Sequence, residues 1–371
     1  MRIFIILIIF LLIPSFVFAQ EFGLVLNQNA EAGKINNSDF NFEYNAQIVP
    51  RMIFLLGDNA DFFVSAGLLL GYSDAEDFTF VPELLRTEFS FFTNGGEIKI
   101  GRFGYSAPLP FLINGLFDGV QVMHRSTAGR FKIGGFYTGF LYKNNALISM
   151  TEYDRSVNEH PFEYSDFTGT YFAPPRIIAS IDWEHFSIAD TLQLNISAIA
   201  QFDLTKAEQK YDSQYLTIKA GLPAGSFVFE IGGIISAKSY AGEIGVYYTM
   251  PTPFNSRLSI NARHASEKFI PISTIYMGEI YKEKLAALTV FELNYLARFT
   301  EKLGANISAK YFINEDEKSK GTEIFGKFTW SPVSDLQFNL GGGAFIPLFV
   351  NDEQSTKPVW LVKLAAVFVL Y

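Results

Sequence analysis

The sequence predicts an all-β fold. It reads as a single transmembrane antiparallel β-barrel of eighteen strands, with short periplasmic turns and longer extracellular loops. Three observations carry this. Segments of about ten residues alternate apolar and polar side chains along the whole chain. Tight turns alternate with longer connections. Phe, Tyr and Trp make up 16% of the residues, yet after residue 20 no apolar run is long enough for a membrane helix.

Residues 1–20, MRIFIILIIFLLIPSFVFAQ, read as a secretory signal peptide. Arg2 supplies the positive start, Ile3 to Ile13 the apolar run, and Pro14 ends it. Val17 and Ala19 are small or apolar residues before a cleavage point near Ala19-Gln20. Residues 1–19 are thus expected to be removed, leaving 20–371 as one barrel domain. There is no Cys, so neither a lipidated N-terminus nor a disulfide framework is expected.

The clearest strand is 39–56. Phe40, Phe42, Tyr44, Ala46 and Ile48 share one parity, and Asn41, Glu43, Asn45, Gln47 and Arg51 share the other. Alternate residues of a strand point to opposite faces. Pro50 lacks a ladder donor, so a bulge or bend is expected there. The same alternation places strands at 21–33, 61–72, 78–93, 97–103, 117–125, 130–141, 176–185 and 191–203. It continues at 214–222, 226–236, 241–250, 256–265, 284–299, 303–313, 322–331, 335–346 and 358–371. Sixteen is the alternative count, because 97–103 and 117–125 are weakly patterned.

Asn94-Gly95 and Pro223-Ala224-Gly225 are typical of the tight turns, and 142–175 and 265–283 of the long loops. Near the tight turns lie Phe54, Phe62, Phe91, Phe131, Trp183, Phe227, Tyr248, Phe299 and Trp330, all on the apolar parity. That is the aromatic girdle of a lipid–water interface. Outer-membrane lipid, with lipopolysaccharide or its equivalent, is the expected surrounding.

The polar parity would line the lumen. Its candidate pore-lining charges are Glu43, Arg51, Arg86, Glu88, Lys99 and Lys132 in the first half. Lys219, Glu230, Arg263, Glu292, Arg298, Lys310 and Lys327 follow in the second. Asp182, Glu184, Glu243, Arg257 and Glu323 share that parity. The two signs nearly balance, so the net charge of −9 belongs mainly to the loops. The net negative charge disfavours nucleic acid, whose binding depends on clustered Lys and Arg.

One loop is unusual. YSAPLPFLING, 105–115, is oily and carries two prolines. Pro108, Leu109, Pro110, Phe111, Leu112 and Ile113 form either a constriction loop folded into the barrel or an apolar rim touching lipid. Folding inward would keep the apolar side chains out of water.

Two resemblances follow from particular residues. Gly101-Arg102, then a loop, then Phe117-Asp118-Gly119-Val120 resembles a pairing found in alginate-export and substrate-specific (OprD-like) porins. The resemblance implies a passive channel for small hydrophilic or acidic solutes. The ending KLAAVFVLY resembles the carboxy-terminal signal of outer-membrane barrels, which implies recognition by the barrel-assembly machinery through the strand ending in Tyr371.

The expected function is therefore an outer-membrane channel for passive diffusion of small hydrophilic solutes. Two alternatives stand beside it. The Phe content and oily loop suit a FadL-like transporter of hydrophobic compounds, and loop 142–175 suits a surface adhesin. Catalysis is not expected: His124, His160, His185 and His264 have no partner at a motif spacing. No cofactor or metal is implied. Oligomeric state and solute are not specified by these features.

Overall fold

The computed structural model describes residues 21–34, 40–74, 78–208, 210–252, 256–316, 318–349 and 357–370. The signal-peptide segment and Tyr371 lie outside the described residues.

Eighteen strands form one closed antiparallel sheet. The first six are β1 (Glu21–Lys34), β2 (Phe40–Leu55), β3 (Ala60–Ser73), β4 (Thr79–Thr93), β5 (Gly96–Ser106) and β6 (Asn114–Ser126). Then come β7 (Gly129–Tyr137), β8 (Arg176–Ile188), β9 (Leu192–Asp203), β10 (Ser213–Ala224), β11 (Phe227–Ser236) and β12 (Tyr240–Thr249). The last are β13 (Arg257–Ala265), β14 (Leu288–Arg298), β15 (Leu303–Asn314), β16 (Ser319–Val333), β17 (Leu336–Phe349) and β18 (Val359–Leu370). Each pairs with its neighbours in sequence, and β1 pairs with β18 from Leu24↔Leu370 to Lys34↔Trp360. The two weakly patterned segments are both strands, β5 and β6, which settles the count. Closure leaves no edge whose N–H and C=O groups would lie bare in lipid.

The alternation sorts the two faces. Ile133, Ile181, Ile231, Ile244, Ile260 and Ile307 are each more than half exposed on the outside. This is the apolar surface that a bilayer would cover. Near the tight turns Phe54 and Phe62 pack at 6.1 Å, Phe227 stacks on Tyr248 at 4.7 Å, and Trp330 stacks on Phe338 at 5.6 Å. Trp183 turns its indole N–H to the Ala128 carbonyl at 2.9 Å, the polar handle of an interfacial Trp.

The register departs from expectation at one point. No bulge forms at Pro50. Pairing with β3 runs in one register from Ile48↔Leu68 to Arg51↔Ser65, and Pro50 lies opposite Leu24 of β1. Proline withholds a single N–H, and paired neighbours on both sides hold the strand. The irregularity falls in β4 instead, where Ser65 faces Arg86 and Ala66 faces Leu84, leaving Leu85 as the extra residue. The bulge brings Val81 and Glu83 onto the same inner face as Arg86 and Glu88, although their parities differ.

Three connections at the long-loop end are built structures. The 107–113 loop follows β5, whose strand extends to Ser106 and so claims Tyr105. The 138–175 segment carries α1 (Lys143–Ala146), α2 (Glu152–Glu159) and α3 (Phe167–Thr170), which the sequence periodicity did not predict. Thr151 and Asp154 form a capping box on α2. The third is 266–287. These three segments share a buried apolar cluster with the adjacent wall of β5–β15.

Candidate constriction and charged inner wall

Arg102 is the pivot of the first inserted loop. It lies directly opposite Asp118 across β5 and β6 and binds it through two nitrogens, at 2.9 and 2.8 Å. It also donates to the Phe140 carbonyl at 2.9 Å and to the Leu84 carbonyl beside the β4 bulge. Its neighbour Gly101 has φ 113°. A Cβ there would lie 1.9 Å from the Thr87 carbonyl oxygen, so only glycine fits. The Gly-Arg and Asp-Gly elements of the sequence motif thus meet in space.

From this base, residues 107–113 cross the barrel interior. Leu109, Leu112 and Ile113 are fully buried and Phe111 nearly so, while Pro108 is half-buried and Pro110 exposed. Leu109 seats on Gly232 of β11, where a Cβ would come within 2.5 Å of its Cδ2. Absence of a side chain at Gly232 makes room for the loop tip. Burying these apolar groups is worth about 1.5–3 kcal/mol each.

The 266–287 loop docks on it. Ile272 N–H donates to the Leu112 carbonyl at 2.7 Å, and Asn114 N–H to Ser273 Oγ at 2.8 Å. The buried carboxylate of Glu323 on β16 accepts the N–H groups of Glu279, Ile280 and Tyr281 at 2.8–2.9 Å. Tyr281 stacks on Phe345 at 4.7 Å. Glu279 then reaches Lys363 of β18 at 2.9 Å. Burial would raise the Glu279 carboxyl, but the Lys363 ammonium outweighs it and holds the group below the ordinary range.

The 138–175 segment is tied down by buried charge. Arg176 pairs with Asp154 of α2 at 2.7 Å and with Asp203 at 3.3 Å, and all three are buried. Lys143 is also buried and donates to the carbonyls of Val157 and His160. Burial pushes its ammonium down from the usual range. Thr274 N–H donates to the Leu147 carbonyl at 2.9 Å, joining this segment to 266–287. Tyr142, Phe162, Phe167 and Tyr171 form an aromatic lobe over Leu69 and Val81 of β3 and β4.

The expected wall charges form two groups. In the first, Glu88 is held by Arg86 at 2.6 Å and Lys99 at 2.8 Å, and Lys132 approaches Glu184 at 3.8 Å. The second is a continuous ladder across six strands. Lys219 contacts Glu230 at 3.0 Å and Glu243 at 3.3 Å; Arg263 bridges Glu243 at 3.4 Å and Glu292 at 3.0 Å. Lys310 completes it, 3.9 Å from Glu292 and 2.8 Å from the Met277 carbonyl. Glu43 accepts from Asn41 at 3.3 Å, and Arg51 lies over Gly23 of β1. Arg298 and Lys327 are exposed, the latter opposite Asn306 and Gly341.

Sequence reasoning missed the inward fold of 138–175 and 266–287, and with it Arg176, Asp154 and Asp203. A signal existed for 266–287. Phe269, Ile270, Pro271 and Ile272 repeat the oily, proline-bearing character of 107–113.

A closed eighteen-stranded barrel with an apolar outer belt, an aromatic girdle, a charged inner wall and inserted loops is an outer-membrane porin architecture. Solved structures from Pseudomonas aeruginosa share it. OccK2 (OpdF) superposes with TM-score 0.64 at 11% identity, covering 94% of this chain and 97% of that one. OprD gives 0.60 at 13% identity, covering 94% and 92%. OpdK solved with vanillate gives 0.62 at 10% identity, covering 95% and 99%. The likeness is one of fold. No protein-family model matches the chain, and no curated protein is significantly similar in sequence.

Proposed function

We propose that this chain is a porin of the outer membrane, through which small hydrophilic solutes diffuse passively. The observation that carries the reading is the charged, amide-bearing inner wall of a closed eighteen-stranded barrel. The inserted loops make contacts from β3 to β18, while the inner face of β1 and β2 carries five amides together with Glu31, Glu43 and Arg51. In this reading 107–113 is the constriction loop, and the balanced wall charges set selectivity.

Two features weigh against the alternatives. Leu109, Leu112, Ile113, Phe269, Ile272 and Leu285 of the inserted loops are fully buried in one cluster, so these side chains are not available to a hydrophobic cargo. The 142–175 segment is anchored inward by Arg176 and Lys143, which suits a lining element better than a free adhesive arm. Cleavage after Ala19, assembly through the last strand and contact with lipopolysaccharide belong to the same proposal. Single-channel recording of folded protein in a planar bilayer tests it. Discrete conductance steps are expected; their absence from correctly folded protein would overturn the reading.

A further inference from the structure

Among the described residues, the side-chain contacts of the inserted loops described above fall on β3–β18, and the chemistry of β1 and β2 differs from the rest. The aromatic lobe covers β3 and β4, where Tyr171 OH donates to the Pro82 carbonyl at 3.0 Å. The 266–287 loop covers β16 and β17 through Glu323 and Phe345. The same loop reaches β18, where Glu279 meets Lys363 at 2.9 Å, and between these two covers lie β1 and β2.

The inner face of β1 and β2 is a double row of amides. Asn27 lies opposite Gln47, Asn29 opposite Asn45, and Asn41 opposite Gly33. All five amide side chains are partly exposed. The charges among them are Glu31 and Glu43, with Glu279 facing them from the loop. Lys363 is engaged by Glu31 at 3.5 Å and by Glu279 at 2.9 Å. Arg51 lies over Gly23 toward the turn end, and Lys310 and Lys327 act on Glu279 from β15 and β16.

Resting on the porin reading above, we infer that this amide track selects neutral hydroxylated solutes, the sugar and polyol class, over carboxylates. Asn27, Asn29 and Asn41 each donate one N–H to a neighbouring side chain, and each amide keeps a further N–H and an acceptor lone pair, matching a hydroxyl group that is both. A carboxylate can only accept, and it would meet Glu31, Glu43 and Glu279 with one lysine already shared between two of them. Like charges along one passage repel, and so disfavour an anionic solute.

The test compares solutes of nearly equal size. Proteoliposomes holding the full mature chain are given labelled glucose, gluconate or glucosamine. Glucose should enter faster than gluconate by about threefold or more, and at least as fast as glucosamine. The near-isosteric double variant Asn29→Leu/Asn45→Leu should lower the ratio of glucose flux to KCl conductance by about threefold. Gluconate entering as fast as glucose would overturn the inference and leave the porin reading intact. So would glucosamine outrunning glucose, because carboxylates would then govern selection, or an unchanged ratio of glucose flux to KCl conductance in the variant. Absence of both flux and conductance would overturn the porin reading itself. If the double variant does not insert, Gln47→Leu and the wild-type solute ratios decide.

Discussion

Arg102 and Asp118 face each other across β5 and β6 in a two-pronged ion pair, with Arg102 almost fully buried. The same guanidinium binds the carbonyls of Leu84 and Phe140, so one side chain joins the β4 bulge, the β5–β6 hairpin and the start of the 138–175 segment. Removing one partner of a buried pair strands the other, at a cost of about 3–5 kcal/mol. Arg102→Ala and Asp118→Ala should each lower the temperature at which the barrel loses its folded gel mobility. Arg102→Lys should recover only part of it, because an ammonium lacks the planar fork. Full recovery by lysine would show that charge alone suffices.

Gly101→Ala should be more damaging than its size suggests. The added methyl would meet the Thr87 carbonyl, at a φ that side chains rarely adopt. Yield of heat-modifiable protein from membranes is the measurement, with Gly104→Ala as the control, since a Cβ there meets only open space and a distant carbonyl.

Phe111→Ala removes a buried anchor of the 107–113 loop. In a soluble core such a truncation costs about 3–5 kcal/mol. Here the loss should loosen the loop and leave the barrel standing, because the sheet closes without it. Conductance should rise, and shortening 107–113 should raise it further. Unchanged conductance in both would remove this loop from the constriction.

The Asp154–Arg176 pair gives a protease test. Asp154→Ala should free α2 from the wall and expose the backbone beside Arg155, whose side chain is already exposed. Trypsin should then cut the 138–175 segment faster than in the parent, by at least about tenfold, while the strands resist.

Acid should loosen the 266–287 loop. The folded-state carboxyl of Glu279 lies below its ordinary value, so its contact with Lys363 is intact above about pH 4.3 and is lost as pH falls through the lowered value. Lys310 and Lys327 also act on this group, and Glu323 holds the loop backbone beside it. A change in conductance should therefore appear only in strong acid, and Glu279→Gln should show the low-pH behaviour at neutrality. A profile that Glu279→Gln leaves unaltered would assign the step to other groups.

Much of the barrel was legible because its signals are local. Alternation at Phe40–Gln47 reports a face, and Asn94-Gly95 reports a turn whose glycine takes φ 87°. The oily 107–113 loop could be read as a burial problem from its own side chains. Parity gives each charged strand residue an expected face from its neighbours alone, and the Leu85 bulge shifts that parity within β4. The 266–287 loop was harder, since its apolar residues are diluted by Glu279, Lys282, Glu283 and Lys284.

The sequence by itself determined the strands, their two faces, the alternation of turns and loops, and so the closed membrane barrel. Those features depend on residues close in the chain and on the demand that every backbone group be paired in lipid. Tertiary structure alone decided what fills the interior. Asn114 bonds to Ser273, 159 residues away, and Leu109 finds space over Gly232 on the far wall. It also decided that Pro50 causes no break while Leu85 does. Contacts of this kind arise only once closure has brought distant strands to opposite sides of one lumen. No periodicity along the chain encodes them.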